Sequence, residues 1–258
     1  MSATLLMDIG NSNIKIGLAP DEGSVLSFVL PTRHDDTPDS LGLALASLVQ
    51  GSRAEGQSVT ACAACSVVPS MNPVVVKALS RRFGITPVFF PDDYELPIEN
   101  RYERPREVGA DRLVTAFAAR ELFVTPNIIT IDFGTATTFD VVSGNAYIGG
   151  LICPGVMSSA RAMSTQTAKL PQITLELKSN RIQVGKSTAD SLNQGMIFGF
   201  ASMTEGLCRR LAETLEGEVT VVATGGFAET MAAVCPCLDD VRPDLLLEGL
   251  RKAHGMLK

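Results

Sequence analysis

Asp8 and Asp132 are the residues whose surroundings first require a chemical explanation. Each is a lone carboxylate near the end of an apolar run, followed by glycine and small polar residues. Leu5 to Leu18 reads LLMDIGNSNIKIGL and Ile128 to Val142 reads IITIDFGTATTFDVV, so that Asp132 falls on Asp8, Gly134 on Gly10, Thr135 on Asn11 and Thr137 on Asn13. A glycine turn lets backbone N–H groups approach an anion closely, and Asn, Ser and Thr add further donors, so the chemistry suggested is phosphate binding. A carboxylate cannot bind phosphate itself, but it can hold a cation that bridges carboxylate and phosphate oxygens. That accounts for a charge that is otherwise expensive at a strand end. Lys15 lies two residues beyond Asn13, on the same face of an extended strand, and could also reach a phosphate. The plainer reading is turn chemistry, since Asp, Gly and Asn are common where hairpins reverse. The repetition favours a duplicated domain with one hairpin in each lobe and both turns facing a shared cleft.

The elements that must position these groups follow the same repetition. Strand-like runs are TLLMDIG, NIKIGLA, SVLSFVL, SVTACAACSVV, PVFF, NIITIDFG, TTFDVVSG, AYIGGLI and EVTVVATGG. Helix-like runs, with apolar residues at three- and four-residue spacing, are DSLGLALASLVQG, NPVVVKALSRRFG, GADRLVTAFAARELF, VMSSARAMSTQTAKL, STADSLNQGMIFGFASMTEGLCRRLAETL and DLLLEGLRKAHGMLK. Hairpin strands come first, then helix and strand alternate, then the order recurs. The 258 residues are enough for two small lobes, here expected over 1–117 and 118–258, with no low-complexity linker between them.

Composition narrows the function. The chain is 45% hydrophobic and 19% charged with a formal net charge of −6, and its Lys and Arg are scattered. Phosphate neutralisation along a nucleic acid needs a basic surface, so nucleic-acid binding is not expected, with NRYERPRE (Asn100 to Glu107) the nearest basic patch. No apolar run reaches the roughly 18 residues of a membrane span, and MSATLLMDIG lacks the basic and apolar regions of a signal peptide. A cytoplasmic protein with six reduced cysteines is the expectation. Cys62, Cys65, Cys235 and Cys237 have the types and spacing to pool four zinc ligands, but Cys62 and Cys65 sit in an apolar stretch where cysteine acts as a small hydrophobe. VGKST (Val184 to Thr188) ends like a phosphate-binding P-loop, yet that motif needs glycine where Asn180 stands. With only His34 and His254, a Ser-His-Asp hydrolase or histidine metal site has little material.

The duplicated Asp-x-Gly hairpin resembles the acetate and sugar kinase, heat-shock ATPase and actin superfamily. Within it the chain resembles the type III pantothenate kinases. The resemblance rests on DIGNSNIKIGL, CSVVP, NRYERPREVGADRL, IDFGTATTFDVV, YIGGLICPGV, TAKLP, GKSTADSLNQG and ATGGF, which span nearly the whole chain in the family's order. It implies a duplicated ribonuclease-H-like (actin-like ATPase) α/β fold, a homodimer, and ATP-dependent phosphorylation of pantothenate to 4'-phosphopantothenate, the first step of coenzyme A synthesis. It further implies Asp111 as general base; Tyr102, Gly109, Ala110, Asp111, Arg112 and Thr188 as pantothenate contacts; and Asp8, Ile9, Gly10, Asn11, Ser12, Asn13, Ile14, Lys15 and Thr135 as ATP contacts. Asp132 holds a monovalent cation, K+ or NH4+, ATP carries Mg2+, and Gly225 and Gly226 of ATGGF lie near the adenosine.

The residue types suit these roles on their own terms. A primary hydroxyl attacking a γ-phosphorus needs a carboxylate to orient it and take its proton. Asp111 at a helix start has its charge favoured by the helix dipole, and Arg112 offers a planar fork for a substrate carboxylate. The plain alternative for this pair is a capped helix start with a solvated charge pair. ADSLNQG (Ala189 to Gly195) departs from the family's more usual Ala-Ile-x-Ser-Gly, and Ser12 stands where Thr is commoner. Another small-molecule kinase of the superfamily would keep both hairpins without Tyr102 and Gly109 to Arg112. A non-catalytic regulatory or accessory relative, binding nucleotide or a partner, would tolerate loss of Asp111.

Overall fold

The computed structural model describes residues 2–21, 23–52, 58–166 and 170–257. Along the first half run β1 (Ser2–Ile9), β2 (Asn13–Pro20), β3 (Leu26–Pro31), α1 (Pro38–Gly51), β4 (Ser58–Ser66), α2 (Asn72–Phe83), β5 (Pro87–Phe89), β6 (Glu99–Asn100) and α3 (Ala110–Leu122). The second half holds β7 (Asn127–Phe133), β8 (Ala136–Ser143), β9 (Ala146–Pro154), α4 (Val156–Gln166), α5 (Thr188–Ala212), β10 (Val219–Thr224), α6 (Ala228–Ala232), β11 (Asp240–Val241) and α7 (Leu245–Gly255). Of the TAKLP motif, Thr167 to Lys169 lie outside the described residues.

The chain divides into two compact units. One comprises Met1–Ile98, Glu103–Ala118 and Asp244–Lys258; the other comprises Glu99–Tyr102 and Ala119–Pro243. The first carries a five-stranded sheet in the order β3-β2-β1-β4-β5, and the second a six-stranded sheet in the order β11-β10-β7-β8-β9-β6. In the first sheet β1–β2 and β2–β3 are antiparallel while β1–β4 and β4–β5 are parallel. Read from β9, the second sheet repeats this: β7–β8 and β8–β9 are antiparallel, β7–β10 and β10–β11 parallel. The duplication seen in the sequence is thus a duplication of strand order and direction, with β6 added at the edge of β9.

Strand alternation builds each core. In the first unit Ala3, Leu5, Met7 and Ile9 of β1 join Ile14, Ile16 and Leu18 of β2 against Leu41 and Leu45 of α1 and Val75, Ala78 and Leu79 of α2. Leu6 is also fully buried, on the opposite face, so β1 reads as a continuous apolar run because both its faces are covered. Each such side chain contributes about 1.5–3 kcal/mol when fully buried. Leu247 of α7 packs on that second face, 3.3 Å from where a Cβ on Gly17 would stand. In the second unit Ile129, Ile131, Phe133, Phe139 and Val141 pack with Val156 and Ala160 of α4 and Met196, Ala201 and Cys208 of α5.

Local signals explain the ends. Thr37 caps α1 in a reciprocal box with Ser40, with Pro38 in the first turn, and α2 stops at Gly84, whose φ of 70° is left-handed. Among the described residues no helix is long and apolar enough to cross a membrane.

Helix α7 packs tightly on α3 at Gly249, where a Cβ would stand 2.8 Å from both the Val114 carbonyl oxygen and the Ala118 Cβ. Gly249→Ala is expected to destabilise the protein by about 1–3 kcal/mol through overpacking, seen as an earlier urea midpoint for the transition that includes this unit.

Candidate active site

In the first unit Asp8 is the penultimate residue of β1, half-buried, and stands directly opposite Lys15 across the hairpin. The intervening turn is Gly10, Asn11 and Ser12, closed by the Gly10 N–H donating to the Asn13 carbonyl at 3.0 Å. Thr32, just beyond β3, braces it from behind: its hydroxyl donates to the Gly10 carbonyl at 2.6 Å and its N–H to the Ser12 carbonyl at 2.9 Å. Asn11, Ser12 and Asn13 are exposed at the tip.

On the other side of β1 the parallel strand β4 places Cys65 opposite Asp8. The thiol donates to Asp8 Oδ1 at 3.6 Å. Burial first, then the negative charges of Asp8 and Asp111 and the bond to Asp8, push the Cys65 thiol well above its usual range, so it remains a donor. The same buried sulfur therefore feels both carboxylates: the one in the turn-bearing strand and the one at the start of α3. The sequence reading treats Cys65 as a hydrophobe, and no short motif marks it otherwise; only the strand register pairs it with Asp8.

Asp111 occupies the first turn of α3 and folds back toward Gly109. Its Oδ1 accepts the Arg112 N–H at 2.8 Å and would lie 2.4 Å from a Cβ at Gly109, so any residue larger than glycine at 109 displaces the carboxylate. Two effects oppose each other at this carboxyl. Burial raises its pKa, while the N–H bond and the charge of Arg112 lower it, and burial wins: the pKa of Asp111 is raised above the ordinary Asp value. A carboxyl tuned upward, with a fixed orientation, is suited to accept a proton.

In the second unit Asp132 sits at the corresponding place in β7, opposite Thr138 of β8 and Thr224 of β10. The turn here is one residue shorter. The Gly134 N–H donates to the Ala136 carbonyl at 3.1 Å, so Ala136, and not Thr137, takes the place of Asn13; Thr137 is one step into the strand and fully buried. Thr135 keeps its place opposite Asn11, exposed at the tip. Gly155 and Ser158 support this tip from the head of α4: the Ser158 hydroxyl donates to the Thr135 carbonyl at 2.7 Å, and a Cβ on Gly155 would stand 2.2 Å from that same oxygen. The glycine of ICPGV is legible as a tight approach; Ser158 carries no signal of its own in the sequence.

Gly225 follows β10 with φ 89°, and a Cβ there would lie 2.1 Å from Asp132 Oδ1. The space a side chain would fill is taken by the carboxylate oxygen. Asp132 Oδ1 is a hard carboxylate oxygen, the donor type that hard cations take.

Tyr102 lies in the second unit, half-buried, its ring 3.6 Å from where a Cβ on Gly149 would stand and 6.1 Å, centroid to centroid, from Tyr147. Tyr147 is fully buried and its hydroxyl donates to Asp140 Oδ1 at 3.0 Å. The bulge in β9, where Val141 pairs Gly149 and Val142 pairs Tyr147, allows this seat, and Gly149 has φ 126°. Asp140 and Tyr147 are supports that the sequence reading does not single out. Thr188 begins α5, exposed, beside the cap Ser187, whose hydroxyl accepts the Asp190 N–H at 3.1 Å. Gly185 of the GKST turn packs on the first turn of α5, a Cβ there standing 2.5 Å from the Ser191 nitrogen. In the divergent ADSLNQG segment Asn193 is buried and bonds both the N–H and carbonyl of Glu176, at 3.0 and 2.7 Å, tying α5 to the chain before it.

The family model described as type III pantothenate kinase matches residues 4–210. A type III pantothenate kinase of Oleidesulfovibrio alaskensis is 57% identical, covering 97% of this chain and 95% of that one. Another, of Nitratidesulfovibrio vulgaris, is 54% identical with 96% and 95% covered. Among solved structures, a ROK family glucokinase from Streptomyces griseus in complex with glucose and AMPPNP superposes with a TM-score of 0.55 at 15% identity, covering 97% of this chain and 98% of that one. The acetate kinase of Porphyromonas gingivalis gives 0.55 at 13% identity with 100% of both chains covered, and the two likenesses share the fold. Full-length kinship in sequence and the duplicated sheets together settle the assignment: this chain belongs to the type III pantothenate kinase family.

Proposed function

We propose that the protein phosphorylates pantothenate at the expense of ATP, with Asp111 as the group that takes the proton of the attacking hydroxyl. The observation that carries this reading is the Asp111 carboxyl at the head of α3, raised by burial and fixed by the Arg112 N–H, in the same unit as the Asp8 hairpin. A loop built for phosphate next to a base built for a hydroxyl is what phosphoryl transfer requires, since positioning and charge stabilisation supply most of the catalysis.

In this reading the exposed Asn11, Ser12 and Asn13 of the first turn, with Lys15, bind ATP phosphates, and Asp8 is the carboxylate that meets the divalent ion carried with ATP. Asp132, in the space left by Gly225, holds a potassium or ammonium ion, which when bound supplies positive charge close to the nucleotide. Thr135 contacts ATP from the second turn. Arg112 pairs with the pantothenate carboxylate as a planar fork, and Tyr102, seated on Gly149, together with Gly109, Ala110 and Thr188, completes the substrate contacts. The Arg112 N–H fixes Asp111 Oδ1, which leaves the other oxygen to accept the proton. A homodimer and a cytoplasmic location accompany this assignment.

The direct test is ADP formation from ATP with and without pantothenate, in potassium and then in sodium buffer. Pantothenate-dependent turnover that requires potassium or ammonium is expected; folded protein that forms no ADP in either buffer would refute the kinase reading. Asp111→Asn keeps the bond from the Arg112 N–H but cannot take a proton, and kcat is expected to fall by about 10²–10⁴-fold with little change in KM for ATP.

The pKa of Asp111 gives two further expectations of opposite sign. The base must be ionised, so kcat/KM for pantothenate falls on acidification through a pKa higher than an ordinary aspartate's. For stability, a folded-state pKa raised above the unfolded one means that stability is fully present below the unfolded pKa and is lost as pH rises through the folded value. Asp111→Asn is therefore expected to melt higher than the parent at neutral pH, with the difference vanishing under strongly acid conditions. Equal melting temperatures at neutral pH would show that the buried charge carries no cost.

A further inference from the structure

Cys208, Cys235 and Cys237 converge in the second unit and have no part in phosphoryl transfer. Cys208 lies late in α5, while Cys235 and Cys237 flank Pro236 in the connection between α6 and β11. The Cys235 and Cys237 sulfurs are 3.4 Å apart, and the Cys235 thiol also reaches the Ala201 carbonyl at 3.8 Å. Cys208 and Cys235 are buried and Cys237 is half-buried, so Cys237 is the most accessible of the three.

Among the described residues no group of three or more His, Cys, Asp and Glu side chains is arranged to hold a metal ion. The accessible sulfur is the better nucleophile. The neighbouring thiols of Cys208 and Cys235 hold the Cys237 pKa well below the usual thiol range, while those two are themselves pushed up by Cys237 and by burial. Glu205 and Asp239 add negative charge around those two thiols and help to keep them protonated. A disulfide needs its sulfurs at about 2.05 Å, so closing the Cys235–Cys237 pair requires an approach of roughly 1.4 Å, within reach of side-chain rotation and a small loop adjustment.

We propose that Cys235 and Cys237 form a redox-modifiable dithiol, with Cys237 as the attacking and Cys235 as the resolving sulfur. The oxidant is a low-molecular-weight disulfide. The Cys237 thiolate attacks one of its sulfurs, a mixed disulfide forms and one small thiolate leaves. Cys235 then loses its proton and attacks the Cys237 sulfur; the protein S–S bond forms and the second small thiolate departs. In sum two protein thiols are oxidised, one small disulfide is reduced, and the two protons end on the two small thiols. The bond joins residues on either side of Pro236 and fixes the connection leading from α6 to β11.

The test treats reduced full-length protein with oxidised glutathione, traps free thiols by alkylation, and reads intact mass and proteolytic peptides. The parent is expected to lose two hydrogens, with Cys235 and Cys237 unalkylated and linked within one peptide, reversibly with dithiothreitol. Cys235→Ser should accumulate a stable glutathione adduct at Cys237, and Cys237→Ser should give neither product; thermal melts matching the reduced parent establish that both variants fold. An unchanged mass in the parent, a link from Cys208 to Cys237, adducts at Cys153 alone, or a Cys237→Ser variant that oxidises like the parent would each overturn the proposal.

Discussion

A carboxylate at the end of the strand that lies third in each five-strand repeat is the constraint around which both units are arranged. Asp8 and Asp132 occupy that place in β1 and β7, each flanked by an antiparallel partner on one side and a parallel one on the other. Moving an ion out of water costs several kcal/mol unless charges or hydrogen bonds compensate. The strand order answers this cost by topology. The parallel neighbour ends beside the carboxylate, so a donor or an open space can be placed there without breaking the ladder. In open sheets this edge is where ligands gather, outside the carboxyl ends of the strands.

Asp111 meets a different balance. At a helix start the N–H groups and the dipole favour its charge, and the Arg112 N–H bonds it directly. Burial still prevails, and the carboxyl is raised. A solvated acid at the same helix start would add stability and be a weaker base. The buried acid gives up some stability at neutral pH relative to a solvated one. Gly109 belongs to the same compromise, because only the absence of a Cβ lets the carboxylate fold back over the helix start.

Much of this was legible in the sequence because it was local. The repeated hairpins, the glycine before Asp111 and the apolar strands all leave period or composition as a trace, and the long helices α3, α5 and α7 appear at their expected segments. β6 and β11, two residues each, are too short to show alternation, and α6, five residues, is too short to show a helical period. The site contacts that escaped are long-range. Cys65 reaches Asp8 only through parallel pairing, Tyr147 reaches Asp140 from the neighbouring strand, and Ser158 braces Thr135 from the head of a helix. Residues that meet across a sheet leave no spacing rule in a single chain. The match of Thr137 to Asn13 failed for a related reason: spacing read from the Asp assumed equal turns, whereas the second turn is one residue shorter.

That difference shows what duplication holds fixed and what it releases. Strand order and direction set both cores, and neither can change without exchanging buried faces. The tips carry no such burden, so one hairpin keeps three turn residues braced by Thr32 while the other keeps two, braced by α4. The parallel neighbours have diverged as well. Beside Asp8, β4 runs on until Ser66 pairs with Ile9, and the position opposite the carboxylate is a thiol that donates to it. Beside Asp132, β10 ends at Thr224, and Gly225 turns the backbone away at a left-handed φ that leaves its side-chain space to the carboxylate oxygen. One copy sets a thiol beside its acid; the other sets a glycine whose missing side chain makes room for it. The same topological position thus meets its acid with a thiol in one unit and with a glycine turn in the other.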